Sequence, residues 1–200
     1  MIYIDDHLDL LDIPAALAAV DNVRREYTLR YRRPIDQRQS LSAFLLLRRA
    51  LLEEYGMDSV PDISFGAHGK PFFKDYPHIH FNLSHCQAAT ACIVAEHPVG
   101  IDVECLERHC TDELIQKTMN TDEQQYIAAS PCPDAAFARL WTMKESLLKL
   151  TGKGLSGNLS DVLAQREPYR FQTIQHAKYI CTACEYQTPP AAHHVPIDTD

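Results

Sequence analysis

The segment Gly100-Ile-Asp-Val-Glu104 sets two carboxylates two residues apart in a run of strand-favouring residues. On a strand, Asp102 and Glu104 project from one face while Ile101 and Val103 pack on the other. Neighbouring carboxylates repel one another unless a cation or hydrogen-bond donors compensate. An oxygen-only set of this kind suits Mg2+, with Mn2+ as a substitute, far better than zinc. Taken alone, the pair is equally an acidic stripe on a solvent-facing edge strand.

A second group is Trp141-Thr-Met-Lys-Glu-Ser-Leu-Leu-Lys149. On a helix, Trp141, Glu145 and Lys149 are four apart and share a face. Glu145 can then complete a metal site with the strand pair, and Lys149, one turn on, can hold a phosphate oxygen. In isolation the same two residues read as an ordinary surface Glu–Lys pair worth a few tenths of a kcal/mol. Lys144 points about 100° around the helix from Glu145, and its removal is expected to be mild.

A third group is Phe81-Asn-Leu-Ser-His85, with Gly69-Lys-Pro71 about ten residues earlier. Lys70, Ser84 and His85 are donors suited to phosphate. A Ser84–His85 nucleophile–base pair is disfavoured, because adjacent strand residues point to opposite faces, and no G-x-S-x-G elbow is present. Cys181-x-x-Cys184 lacks a second pair at zinc-ribbon spacing and reads as buried small apolar residues.

Placing these groups requires strands for the first and third and a helix for the second. The pattern predicts strands at Met1–Ile4, His78–Leu83, Ala88–Ala95 and Val99–Glu104, and a hairpin from Tyr169–Ile174 and Lys178–Glu185. It predicts helices from Pro14 to Leu29, from Asp36 to Tyr55-Gly56 and from Ala135 to Leu150, with Gly66–Pro77 as turns. The strand sequence at 88–95 weakly echoes that at 179–184, a hint of internal duplication. The segment from 188 to 200 is expected to be a loose tail.

Composition narrows the class. With 46% apolar residues, the 200-residue chain can bury a substantial core. Its longest apolar run, Ala88–Ala95, is too short to span a membrane. The N-terminal stretch shows no secretory pattern and the seven cysteines form no disulfide framework, so a cytoplasmic setting is expected. Residues 21–50 carry eight Arg against three acidic residues, a local +5 within a chain of net charge −8. That balance suits gripping one phosphate-bearing small molecule rather than wrapping nucleic acid.

In their order along the chain, the Gly69-Lys-Pro, Phe81-Asn-Leu-Ser-His, Gly100-Ile-Asp-Val-Glu and Trp141-Thr-Met-Lys-Glu-Ser-x-x-Lys-x-x-Gly-Lys-Gly-Leu-Ser156 motifs resemble the 4′-phosphopantetheinyl transferase superfamily. The two-domain, Sfp-like group is the nearer match by length. The resemblance implies an α+β fold, a pseudo-dimer of two similar halves related by a pseudo-twofold axis. Residues 1–98 form the N-terminal half, contributing to coenzyme A binding, and 99–187 the half with the metal and catalytic motifs. It implies a Mg2+-dependent enzyme of holo-[acyl-carrier-protein] synthase type. Phosphopantetheine would pass from coenzyme A to a serine of an apo acyl or peptidyl carrier protein, with release of 3′,5′-ADP. Asp102, Glu104 and Glu145 would hold the metal, Lys149 the transferring phosphate, and Lys70, Ser84 and His85 the nucleotide part. Arg38 would meet the 3′-phosphate. Glu145 would take the serine proton, directly or through water. The protein would act as a monomer with no membrane or nucleic-acid partner. Two other readings use the same residues: a Mg2+-dependent phosphodiesterase, and a non-catalytic module that binds coenzyme A or the carrier.

Overall fold

The computed structural model describes residues 1–188 except 67, 108, 155–157 and 165. The expected tail beyond 188 and the Leu155-Ser156 end of the last motif lie outside the described residues. After strand β1 (Ile2–Asp5), the run expected as one helix is two, α1 (Ile13–Ala18) and α2 (Asn22–Leu29). Asp21 is the reason. Its backbone is extended, and its carboxylate accepts the Arg24 N–H at 2.8 Å, which starts a new helix in place of continuing the old one.

Helix α3 (Pro34–Tyr55) opens on proline at its first position and closes on Gly56 at φ +66°. An antiparallel ribbon follows, of β2 (Ile63–Phe65) and β3 (Pro71–Phe73), the second of which falls in the stretch expected as turns. There follow β4 (His80–His85), β5 (Thr90–Ala95) and β6 (Val99–Cys105), close to their predicted spans. Three helices come next: α4 (Asp112–Thr118), α5 (Thr121–Ala129) and α6 (Pro133–Thr151). The hairpin of β7 (Tyr169–Gln175) and β8 (Tyr179–Tyr186) ends the described fold.

The class is α+β. One antiparallel sheet has the order β1-β5-β4 and the other β6-β8-β7. In each, the first strand pairs with the second strand of a later hairpin, and the intervening chain carries the helices, joined in the first case by the β2–β3 ribbon.

The two sheets stack face to face. Ala91 and Ile93 of the first meet Ile101, Val103, Cys181 and Ala183 of the second. The outer face of the first sheet is covered by α3, where Leu47, Ala50 and Leu51 pack on Phe81, Cys92 and Val94. The outer face of the second is covered by α6, where Leu147 and Leu150 meet Cys184. Four layers result, helix–sheet–sheet–helix. Cys181 and Cys184 are buried packing residues, as their spacing suggested.

Strand β4 also reaches β6 through side chains. Asn82 Oδ1 accepts the Ile101 N–H at 2.9 Å, and Ser84 Oγ accepts the Val103 N–H at 3.3 Å. The polar members of the 81–85 motif thus satisfy the open edge of β6 and join the two sheets.

Strand β6 and helix α6 meet at Gly100. A Cβ at this position would lie 1.9 Å from the Ser146 carbonyl oxygen and 2.6 Å from the Leu150 nitrogen. Backbone, not a movable side chain, fills the space. Gly100→Ala is therefore expected to lower stability by about 3 kcal/mol or more, because helix and strand must separate. Gly56→Ala is expected to cost only about 1 kcal/mol, since it meets open space and bears only the strain of its positive φ. Urea denaturation of the two variants measures both, and equal losses would refute the close-contact account.

Candidate active site

Alternation along β6 puts positions 100, 102 and 104 on the face turned to α6, as the spacing predicted. Helical spacing on α6 returns Trp141, Glu145 and Lys149 to the face turned to β6. Trp141 Nε1 donates to Glu104 Oε1 at 3.2 Å, and Lys149 Nζ donates to Asp102 Oδ1 at 2.7 Å.

Ser84 completes the cluster from β4. Its Oγ donates to Asp102 Oδ1 at 2.8 Å and accepts from Lys149 Nζ at 2.9 Å. Asp102 is only 4% exposed, and its Oδ2 is a buried oxygen with no hydrogen-bond partner. An orphaned carboxylate oxygen is costly unless a positive group comes to it. Glu145 responds to the same surroundings. Burial, then the Asp102 charge, raise its pKa, with Glu104 adding to the rise and Lys149 opposing it.

Oxygen donors of this type suit a hard divalent cation. The charges of Asp102 and Glu104 reach Glu145, and one buried oxygen of Asp102 lacks a donor. Among the described residues no three His, Cys, Asp or Glu side chains close on a single point. Lys149 supplies the compensating charge in this arrangement.

Beside the cluster lies a cavity of about 820 Å3, with Arg38, His85, Glu104 and Lys178 in its wall. Glu104 therefore belongs both to the cavity and to the acidic cluster. Desolvation, then the nearby Lys149 charge, lower the His85 pKa and favour the neutral ring. Arg38 is steadied by its Nε bond to the Leu11 carbonyl at 3.2 Å.

Two expected binding residues lie elsewhere. Ser84 is inside the Asp102–Lys149 cluster, and Lys70 Nζ donates to the Leu150 carbonyl at 2.7 Å, near the end of α6. Neither lines the cavity.

The expectation for Lys144 needs correction. It does point away from Glu145, but into the protein. At 1% exposure, its ammonium donates to Glu123 Oε2 at 2.7 Å and to the Thr118, Leu159 and Ser160 carbonyls at 2.9, 2.9 and 3.2 Å. Sequence reasoning also missed Lys178 in the cavity wall and the strand-joining role of Asn82. The Asn82/Ser84 spacing of two, which puts both on one strand face, was the available signal for the latter.

The sequence profile of the 4′-phosphopantetheinyl transferase superfamily matches residues 98–196. The chain is 34% identical over 158 residues to a 4′-phosphopantetheinyl transferase of Bacillus subtilis, covering 78% of this chain and 70% of that protein. It is 35% identical over 146 residues to 4′-phosphopantetheinyl transferase psf-1 of Bacillus pumilus, covering 71% and 62%. It is 30% identical over 159 residues to 4′-phosphopantetheinyl transferase Sfp of Bacillus subtilis (strain 168), covering 78% and 70%. The chain thus spans somewhat under two thirds of one of these relatives and slightly more of the other two.

Two measurements test the electrostatics. Lys144→Met strands a buried Glu123 carboxylate and three carbonyls, so it should lower stability by about 3–5 kcal/mol in urea denaturation. A loss below about 1 kcal/mol would mean the ammonium is replaceable. Burial also pushes the Lys70 ammonium down from 10.5 to about 8. Between those values the unfolded chain binds more protons than the folded one, so this group makes stability rise with pH across the window. The rise should be present in the wild type relative to Lys70→Met; parallel pH–stability curves would overturn it.

Proposed function

The chain belongs to the 4′-phosphopantetheinyl transferase superfamily, and on that basis we propose that it moves phosphopantetheine from coenzyme A to a serine hydroxyl of an apo carrier protein, releasing 3′,5′-ADP. The observation that carries the reading is the meeting of Asp102, Glu104 and Glu145 with Lys149 across the β6–α6 contact, at the edge of a cavity holding Arg38 and His85.

Asp102, Glu104 and Glu145 would hold Mg2+ or Mn2+, which when bound neutralises charge on the pyrophosphate. Lys149 contributes a positive charge at the same place. It is partly exposed and held by Asp102 and Ser84, so it can be aimed at a phosphate oxygen without a large ordering cost. Burial and Asp102 raise the proton affinity of Glu145, the direction needed by a group that accepts the serine proton. Arg38 and His85 would take the nucleotide end in the cavity, with Arg38 toward the 3′-phosphate. In this reading Ser84 holds Lys149 and Asp102 in place, and Lys70 contributes from the end of α6.

The reading extends to architecture and setting. Residues 1–98 and 99–187 are two halves of a pseudo-dimer, related by a pseudo-twofold axis. Their support is the shared strand order of the two sheets. The protein works as a monomer of holo-[acyl-carrier-protein] synthase type in the cytoplasm. No described helix is long and apolar enough to cross a membrane.

The test is incubation with apo carrier proteins, coenzyme A and Mg2+, read by intact mass. Each modified carrier should gain one phosphopantetheine. Exhaustive chelation should abolish the gain, and Mg2+ or Mn2+ should restore it; hydrolysis of coenzyme A without carrier modification would favour a phosphodiesterase instead. Lys149→Ala and Glu145→Gln, confirmed folded by circular dichroism, should each lower kcat by about 100-fold or more. Full turnover of Glu145→Gln would leave only a binding role for the site.

A further inference from the structure

Seven cysteines are free in this chain, and two of them meet where the sheets join. The β4–β6 contact advances in register: Asn82 reaches Ile101 and Ser84 reaches Val103. Two residues further along come Cys86, just past the end of β4, and Cys105, the last residue of β6. The Cys86 thiol has Cys105 beside it, and burial first, then that neighbour, push its pKa up to about 12. The Val103 N–H to Ser84 Oγ contact at 3.3 Å holds the two backbones close immediately before this point. A disulfide needs Cα atoms about 4.4–6.8 Å apart. Both cysteines are partly exposed and both lie in the cavity wall, where a small oxidant can reach them.

We propose that Cys86 and Cys105 form a redox modification site, in which a hydroperoxide converts the pair into a disulfide that ties the end of β4 to the end of β6. Two S–H bonds break and one S–S bond forms. Each sulfur loses one electron, the peroxide O–O bond takes both, and with hydrogen peroxide two waters leave. One thiol first becomes a sulfenic acid with release of one water. The second sulfur then displaces the sulfenic hydroxyl, which takes up that thiol's proton and leaves as the other water. The remaining cysteines offer no comparable pair. Cys92, Cys181 and Cys184 are buried in apolar packing, Cys110 bonds Asp134, and Cys132 is exposed on the loop before α6.

The bond has a consequence for the cavity. His85 immediately precedes Cys86, Glu104 immediately precedes Cys105, and both neighbours stand in the cavity wall. Linking the cysteines fixes His85 and Glu104 relative to one another across the seam. This consequence rests on the proposed transferase reading; formation of the bond does not.

The full chain, purified reduced, is treated with hydrogen peroxide and excess reagent is removed. Free thiols are then alkylated under denaturing conditions and the intact mass recorded, with peptide mapping of the linkage. The expected result is a loss of two hydrogen masses and two protected thiols, mapped to Cys86–Cys105 and reversed by dithiothreitol. Cys86→Ser and Cys105→Ser should each abolish the linked species. Two alkylatable thiols at 86 and 105 after treatment, or a linked species that persists in either variant, would overturn the site. Carrier modification is compared before and after oxidation within each protein. It should fall about fivefold or more in the wild type, recover with dithiothreitol, and change little in the variants. An unchanged rate in a wild type shown by mass to be linked would overturn the control of the cavity. A reduced wild type with no transfer would count against the transferase reading alone, while the mass readout still decides the disulfide.

Discussion

Strand β6 and helix α6 touch backbone to backbone, and the proposed site depends on that contact. Only a residue without a side chain fits at position 100, where the Ser146 carbonyl and Leu150 amide occupy the space a Cβ would need. Once the two elements are this close, the strand period of two and the helix turn of 3.6 do the rest. Asp102 and Glu104 come up on the helix side of β6, and Trp141, Glu145 and Lys149 come down on the strand side of α6. A larger residue at 100 would push the elements apart and dissolve the cluster while leaving every one of its members in the sequence.

The same contact sets an electrostatic problem. Three carboxylates brought together in a partly buried place repel one another, and Asp102 has lost nearly all its water. The structure answers with one ammonium, one hydroxyl and one indole N–H, and still leaves Asp102 Oδ2 without a partner. A cluster built only for stability would more cheaply use apolar residues. The unanswered oxygen and the raised proton affinity of Glu145 are the features on which the proposed cation binding and proton transfer rest. On the far side of α6 the problem is solved in full. Lys144 is equally buried, but a carboxylate and three carbonyls receive its charge, so it secures the helix and the segments packed on it.

The two sheets place the cavity. They share a strand order and stack through small residues, so the ends of β4 and β6 emerge side by side. His85 from one sheet and Glu104 from the other can then stand in one wall, with Arg38 from α3. Neither sheet supplies that wall alone. The side-chain bonds from Asn82 and Ser84 to β6 are what hold the two edges in step.

Much of this was legible in the sequence, where local rules suffice. Alternation gave β4, β5, β6 and the β7–β8 hairpin nearly to their ends, and helical spacing with Gly152 gave α6. The shared face of Asp102 and Glu104 and that of Glu145 and Lys149 follow from period alone. The four ordered motifs pointed to the family. Where local signals competed, the reading failed: the N-cap of Asp21 overrode helical periodicity, and Gly- and Pro-rich punctuation hid the short β2–β3 ribbon. What tertiary structure alone decided is which faces meet. No spacing rule reveals that Gly100 receives a helix backbone, that Ser84 turns to Asp102 and Lys149, or that Lys144 enters a buried cage of carbonyls. Nor does one place Cys86 against Cys105, nineteen positions away. Period fixes the direction of a side chain relative to its own element, whereas its partner depends on how elements distant in the chain pack, and that is set by burial of the whole core at once.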